Sequence, residues 1–385
     1  MAASPLLRAS TIHARLDDCG NRGPGFDTVR LLAASAVVLH HALGVEYDIV
    51  RNDALFAFSG GYTHTGLLAV AVFFAISGFL VTPGLVKNGD VIEYLSRRFM
   101  RIMPLLVFVV IVTALVIGPL FTTLPAGEYF ARPETWLYLR NITTSLSLPL
   151  PGVIDLDGGN TINDPLWTLR YEWLCYLLVA AASLLALLRH RLAFLALWLA
   201  AMSVLAIAYG PTIADEPQGN LYVLLYLFAY FGAGALVFLF GDVIRFSRST
   251  LLTALMLLVF ALVLGAGHVF APLLTAYVAI GIGLLRFPWT AKLARADLSY
   301  GVYLTHSVIL MILVNLYPFA HWWALFALGL GCSCLVAACS WHFIEAPALR
   351  HKSWPAQAVK RLLARVPGLG DFSRHGQLLR PKVKE

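Results

Sequence analysis

The chain has 385 residues, 59% of them hydrophobic and only 13% charged, with a mean hydropathy of +0.76 and a formal net charge of +7. Soluble domains carry about 25% charged residues, so a water-soluble enzyme and a nucleic-acid-binding module are both excluded. What remains is an all-α polytopic membrane protein in contact with the lipid bilayer.

The first 26 residues carry scattered Arg and Asp and lack the apolar core of a signal peptide. The first helix is therefore expected to act as its own insertion signal. That helix, FDTVRLLAASAVVLHHAL over Phe26–Leu43, places Arg30 and His41 in an apolar stretch. Eleven residues at about 100° each end about 20° past three turns, so the two share a face, about 16 Å apart along the axis. Ionisable groups in a membrane helix are costly and usually face a polar interior where something is bound or moved. A snorkelling arginine and a histidine paired with a backbone carbonyl would account for the same residues. His40 stands beside His41, which leaves open which imidazole titrates.

Runs of about 20 residues, enough to cross a bilayer, fall at 28–45, 66–87, 102–121, 166–188, 192–209, 220–240, 250–266, 269–286, 298–317 and 322–345. This predicts ten transmembrane helices. No internal repeat is evident, which disfavours duplicated transporter architectures. Ten spans put both termini on one side. With a cytoplasmic N-terminus, the inner segments hold 23 of the 28 Lys and Arg, and the outer segments hold only Arg51, Arg132 and Arg140. That positive-inside pattern predicts both termini cytoplasmic. The expected organisation is a cytoplasmic segment over 1–25, a transmembrane domain over 26–350 and a basic cytoplasmic tail over 351–385. The five cysteines (Cys19, Cys175, Cys332, Cys334, Cys339) show no zinc spacing. They read as packing residues, with no disulfide required and no metal expected.

Between the second and third runs, KNGDVIEYLSRRFMRIMP reads as a cytoplasmic loop with Arg97, Arg98 and Arg101. At helical spacing Arg97 and Arg101 share a face, with Arg98 beside them. Such a cluster suits anionic lipid head groups or, equally, the phosphates of a nucleotide-bearing ligand, which arginine holds in a bidentate fork. In the second helix, Ser77 and Gly78 of FFAISGFL sit near mid-membrane, where small residues mostly let helices approach closely; a narrow passage for a ligand tail is the weaker reading. The outer segment 122–165 contains Glu128, Glu134, Asp155, Asp157 and Asp164 with Tyr129, Trp136 and Tyr138. These suit a hydroxyl-rich sugar or an ordinary wetted interfacial helix, and the second reading is favoured for any one of them.

The fourth helix opens with LWTLRYEWLCYLL. Helical rise puts its Glu172 about 9 Å below the outer surface, near the depth of His41, about 10 Å down. The two are expected to meet if their helices are neighbours, with Arg170 as a competing partner. His306, in LSYGVYLTHSVIL, lies nearer the middle. His64, His268 and His321 sit in outer loops or at helix ends and are assigned no role.

The order of these motifs resembles the acyltransferase-3 family of integral membrane O-acyltransferases, of the O-antigen and exopolysaccharide acetylase type. Asp27, Arg30 and His41 match its FD-x-x-R-x10-H pattern, FFAISGFLVT its Ser-Gly-Phe-Leu segment, and YLSRRFMRIMP its arginine-rich segment ending in proline. LWTLRYEWLCYLL is similar to its Trp–Glu–Trp helix, SYGVYLTHSVIL to its Tyr–Gly–Tyr–His helix, and IEAPALR to its closing signature. The match runs from about residue 24 to 350, and a basic tail follows in place of an extracytoplasmic esterase-like domain.

The resemblance implies transfer of an acyl group, acetyl foremost, from cytoplasmic acyl-CoA to a glycan hydroxyl reached from the outer side. Acyl-CoA is then a co-substrate, with no permanently bound cofactor. His41, Glu172 and Arg30 are the expected catalytic residues. Arg97, Arg98, Arg101, Ser77, Tyr300, Tyr303, His306 and Trp167 are the expected substrate-binding residues. A homo-oligomer or a polysaccharide-synthesis complex is compatible with this. Three rival readings stay open. One is a transporter or flippase of lipid-linked sugar, with Arg30, His41, Glu172 and His306 as a polar path. Another is transfer of succinyl, or acylation of peptidoglycan or a secondary metabolite. The third is a non-catalytic scaffold.

Overall fold

The computed structural model describes residues 10–21, 23–47, 50, 52–144, 149–153, 162–209, 219–286 and 296–365. Asp155, Asp157 and tail residues 366–385, singled out in the sequence, lie outside them. The chain opens with α1 (Ile12–Asp18), α2 (Phe26–Gly44), α3 (Ala54–Phe58), α4 (Thr65–Asn88) and α5 (Val91–Val112). A π-helical turn, Thr113–Ile117, continues α5 into α6 (Gly118–Phe121), followed by short α7 (Ala126–Ala131) and α8 (Pro133–Leu137). Then come α9 (Trp167–Leu184), α10 (Arg191–Tyr209), α11 (Asn220–Leu239), α12 (Arg248–Val263), α13 (Gly267–Gly283), α14 (Ser299–Leu316) and α15 (Trp322–Ser340). A second π-helical segment, Trp341–Glu345, leads to α16 (Ala346–Arg350), and α17 (Trp354–Leu363) ends the described chain. The only strands among the described residues are Ser10–Thr11 and Arg245–Phe246, paired antiparallel.

All ten expected apolar runs are helical. Seven helical stretches are long and apolar enough to cross a membrane by length and composition. Of the other three, α12 and α13 have 16 and 17 residues. At 1.5 Å per residue each spans about 24–26 Å, short of a hydrocarbon core of about 30 Å. The third, α9, has 18 residues but carries Arg170 and Glu172.

The segment expected as a cytoplasmic loop is helical instead. Gly89, at φ +64°, ends α4 in a left-handed conformation that glycine adopts without strain. Asp90 then caps α5 by accepting from the Glu93 N–H at 2.9 Å. From Val91 the helix runs 31 residues to Phe121, so Arg97, Arg98 and Arg101 project from a rigid rod. The polar sequence marks an exposed helical turn here, where it reads as a break in the apolar run.

The core forms where α4 crosses α11. A Cβ on Gly78 would stand 1.9 Å from the Phe231 carbonyl oxygen, and one on Gly234 would stand 1.9 Å from that of Ala75. The two backbones touch, as the small-residue reading of Gly78 expects. On the other side, α14 packs against α2 and α15, with Gly301 seated on Ala337. At the rim, the Tyr129 hydroxyl donates to the Ala114 carbonyl at 2.7 Å in the π-helical turn. It approaches through the space that a Gly118 side chain would fill. Tyr129 and Tyr138 are fully buried while Trp136 is half exposed, so the outer aromatics serve packing and interface.

Replacing Gly78 or Gly234 by Leu is expected to force the α4–α11 crossing apart, at a cost of about 3 kcal/mol or more. Thermal unfolding in detergent should start many degrees lower or show no folded species. Ser77→Ala, one residue away, should unfold like the parent.

Candidate functional site

Between α2, α4, α5, α9 and α14 lies a cavity of about 680 Å³, its mouth included. Arg30, Ser77, Arg98, Arg101, Glu172, Tyr300 and Tyr303 are among its lining residues. One end is closed by a ring of ion pairs. Arg101 donates to Asp297 Oδ2 at 2.6 Å and to Glu345 Oε2 at 2.8 Å, and Arg30 donates to the same Asp297 oxygen at 3.2 Å. Asp27 stands 3.9 Å from Arg30. The Ser299 hydroxyl donates to Asp297 at 2.5 Å, and that of Ser340 to Glu345 at 3.1 Å. Asp297 precedes α14. Burial pushes its carboxyl up, but Arg101, Arg30 and the Ser299 donors outweigh that and hold it below the usual carboxylate range.

The arginines expected to act together are separated. Arg97 is half exposed and pairs with Glu93 at 3.0 Å along its own helix. Arg101 is held by two carboxylates. Arg98 stacks over the Tyr176 ring at 5.9 Å, with a buried Nε that has no hydrogen-bond partner among the described residues. Arg98 itself lines the cavity, and a guanidinium there can hold a phosphate in a bidentate fork. Ser77, Tyr300 and Tyr303 line the space as expected. Trp167 does not line it. It packs edge-on against Tyr171, while its neighbour Thr168 faces the cavity and hydrogen-bonds the Tyr303 hydroxyl at 2.8 Å.

The expected pair of Glu172 and His41 does not form. Glu172 accepts from the Tyr176 hydroxyl at 2.5 Å and feels the charges of Arg98, Arg101 and Arg30. Arg170 is not its partner either, lying over the Tyr171 ring at 4.8 Å. The reason is lateral. Helix α9 packs chiefly on α4, α5 and α11, whereas α2 packs on α4, α13, α14 and α15. Equal depth does not make two helices neighbours.

His41 is instead joined to His306. His306 Nδ1 lies 2.8 Å from the Tyr303 carbonyl and 3.2 Å from that of Val302. A carbonyl only accepts, so the hydrogen-bond partners assign the proton to Nδ1 and leave Nε2 with its lone pair. That Nε2 is 3.2 Å from His41 Nδ1, which also lies 2.9 Å from the Val37 carbonyl. His41 Nδ1 therefore donates, and His41 Nε2 is the basic nitrogen. Asp164 Oδ2 stands 3.7 Å from it. The two imidazoles form a T-shaped pair with centroids 5.0 Å apart. Tyr303, on the same helix as His306, forms the wall between these rings and the arginine-lined part of the cavity.

His40 points elsewhere. Its ring stacks on His64 with centroids 4.4 Å apart, and its Nδ1 lies 3.4 Å from Asp53 Oδ2. His40, Asp53 and His64 offer ligand atoms within 4.8 Å of one another. Asp53, however, already caps α3 through Leu55 and Phe56 and accepts from the Thr65 N–H and hydroxyl. Burial pushes the Asp53 carboxyl up, but the His40 ring, Thr65 and the Leu55 N–H outweigh it and hold it well below the usual range. These contacts make the group a clamp between the α2–α4 connection and the start of α4. Gly66 leaves room there for the His40 ring.

Sequence reasoning misses Asp297, which sits in a polar connection, and Glu345, which it quotes in IEAPALR without a role. It passes over Asp164 as one of several outer acids.

A family model described as an acyltransferase domain matches residues 24–342. The chain is 25% identical over 303 residues to the O-acetyl transferase of Shigella phage Sf6, covering 75% of this chain and 85% of that protein. It is 29% identical over 348 residues to Nodulation protein 10 of Rhizobium leguminosarum bv. viciae, covering 84% and 93% respectively. No solved structure matches the chain. With a family model over most of its length, the chain belongs to the acyltransferase-3 family.

Proposed function

We propose that this membrane O-acyltransferase moves an acetyl group from acyl-CoA, entering at the Arg98 end of the cavity, to a hydroxyl of a cell-surface glycan that approaches His41. The observation that carries this reading is the ordered pair His306–His41, placed beyond Tyr303 from an arginine-lined cavity. The donor's phosphates fit the Arg98 guanidinium, which lines the cavity, and the pantetheine arm runs past Ser77, Tyr300 and Tyr303. The acceptor hydroxyl gives its proton to His41 Nε2 as its oxygen bonds to the thioester carbonyl carbon. The carbon–sulfur bond then breaks, and the leaving thiolate takes that proton from the imidazolium. His306 holds the His41 ring in the tautomer this needs. Glu172, expected as the orienting group of His41, acts in the donor cavity through Tyr176. Arg30, expected as catalytic, acts by holding Asp297.

The name of the Shigella phage relative favours acetyl over succinyl. A positive-inside charge distribution supports cytoplasmic termini and donor entry from the cytoplasm. The transporter reading loses ground because the family is one of acyltransferases.

Two measurements check these assignments. His41→Ala should lower acetyl transfer by about 10²–10⁴-fold with an unchanged thermal profile, whereas His40→Ala should lower the unfolding temperature by loosening its clamp. Turnover kept by His41→Ala but lost per folded molecule in His40→Ala would reverse the choice of imidazole.

Arg98 and Arg101 should also part company. Arg98→Ala is expected to raise the KM for acetyl-CoA several-fold with a folded protein. Arg101→Ala removes the cation paired with Glu345 and leaves Asp297 to Arg30 alone, and should cost about 3–5 kcal/mol of stability. Steady-state kinetics and thermal unfolding on both variants decide this, and an unchanged donor KM in Arg98→Ala would return that residue to lipid anchoring.

A further inference from the structure

The stretch expected to begin the basic tail folds as α17 and docks on the first turns of α5. The Ser96 hydroxyl donates to the Lys352 carbonyl at 2.7 Å and accepts from the Ala356 N–H at 3.1 Å. The Ser353 hydroxyl donates to Glu93 at 2.6 Å, and Lys360 donates to Asp90 at 2.5 Å. Arg97, Arg98 and Arg101 follow directly on α5. Counting about 100° per residue from Trp354, the docked side chains Ala356 and Lys360 lie at about 200–240°. Ala358, Leu362 and Val359 lie at about 40°, 80° and 140°, so with Trp354 they form a second face. Nothing among the described residues covers it: Trp354 is 66% exposed, Leu362 62% and Val359 42%. Gln357 and Arg361 fill the remaining arc, at about 300–340°. From Arg350 to Arg365 the chain carries Arg350, Lys352, Lys360, Arg361 and Arg365 and no acid. Of these, only Lys360 is in an ion pair among the described residues.

An apolar face beside cations, with a tryptophan on it, is the pattern of a helix lying in a bilayer interface. Its place in the fold agrees. The helix that begins with α5 is long and apolar enough to span a membrane, so a helix docked on its first turns lies level with the head groups. There an anionic leaflet offers both an acyl-chain boundary for the apolar face and phosphates for the cations. We infer that α17 is seated in an anionic leaflet, with Trp354, Leu362 and Val359 at the acyl-chain boundary and Lys352, Arg361 and Arg365 among phosphate head groups. The ligand class is anionic phospholipid, since a leaflet without net charge leaves the cations unmatched. The seat fixes α17, and through Ser96, Glu93 and Asp90 it fixes the turns of α5 that lead into the arginines. Anionic lipid thereby supports donor binding, a consequence that rests on the acyltransferase reading above.

The test places the purified full-length chain in vesicles of phosphatidylcholine, alone or mixed equally with phosphatidylglycerol. Leu362→Cys and Gln357→Cys are each treated with N-ethylmaleimide, which crosses bilayers but reacts with thiols that meet water. Peptide mass spectrometry reads each site apart from the native cysteines. In mixed vesicles Leu362→Cys should react far more slowly than Gln357→Cys. Adding Arg361→Gln and Arg365→Gln, or omitting phosphatidylglycerol, should raise the Leu362→Cys rate by about 10- to 30-fold, the effect of losing two cation–head-group contacts. Trp354→Ser, which alters no charge, should raise the KM for acetyl-CoA several-fold and leave kcat unchanged. Equal labelling of the two cysteines would put this face in water, open to a soluble partner, and overturn the proposal. So would protection of Leu362→Cys that ignores both phosphatidylglycerol and the arginines, or an unchanged donor KM in Trp354→Ser. Labelling needs no turnover, so absence of transfer by the parent chain would overturn the acyltransferase reading, and with it only the donor-binding consequence.

Discussion

A guanidinium in a low-dielectric interior is tolerable only when its charge is met, and Arg101 is where this protein meets that demand. Asp297 and Glu345 flank it, and Arg30 shares Asp297. Those four side chains come from α5, the residues just before α14, the π-helical segment after α15, and α2. Buried pairs of this kind add little net stability over apolar packing, while removing one partner is costly. What the ring secures is register. It sets α2 against α14, and so brings His41 to His306 about 16 Å further along α2 by helical rise.

From that frame the two ends of the site acquire opposite characters. Near the ring, charge is plentiful and mostly spent on itself, leaving Arg98 as the guanidinium with a buried nitrogen unpartnered among the described residues. Near His41 the two imidazoles have their directions fixed by backbone carbonyls. Val37, Val302 and Tyr303 carbonyls determine both imidazole tautomers. The chemistry is thus written into main-chain geometry, which explains why the histidines sit within helices where carbonyls one turn earlier are in reach.

Much of this is legible from the residues alone. Hydrophobic contrast exposes Arg30, His41, Glu172 and His306, because an ionisable group in an apolar run has few explanations. Gly78 reads as a packing glycine, and it is one. The charged partners are harder to find. Asp297 and Asp164 lie in polar connections, where carboxylates are ordinary, and only tertiary contact distinguishes them. Glu172 marks the limit of reasoning by depth: helical rise gives its height in the bundle, not which helix stands beside it. The start of α5 marks another, since three arginines interrupt an apolar run without interrupting the helix.

The central claim is that donor and acceptor reach His41 from opposite sides of the bilayer. Inside-out membrane vesicles loaded with de-esterified polysaccharide, and given radiolabelled acetyl-CoA only on the outside, test it most directly. The account predicts label on the enclosed polysaccharide, abolished by His41→Ala, and none on polysaccharide added outside. Label confined to the outside polymer would contradict it.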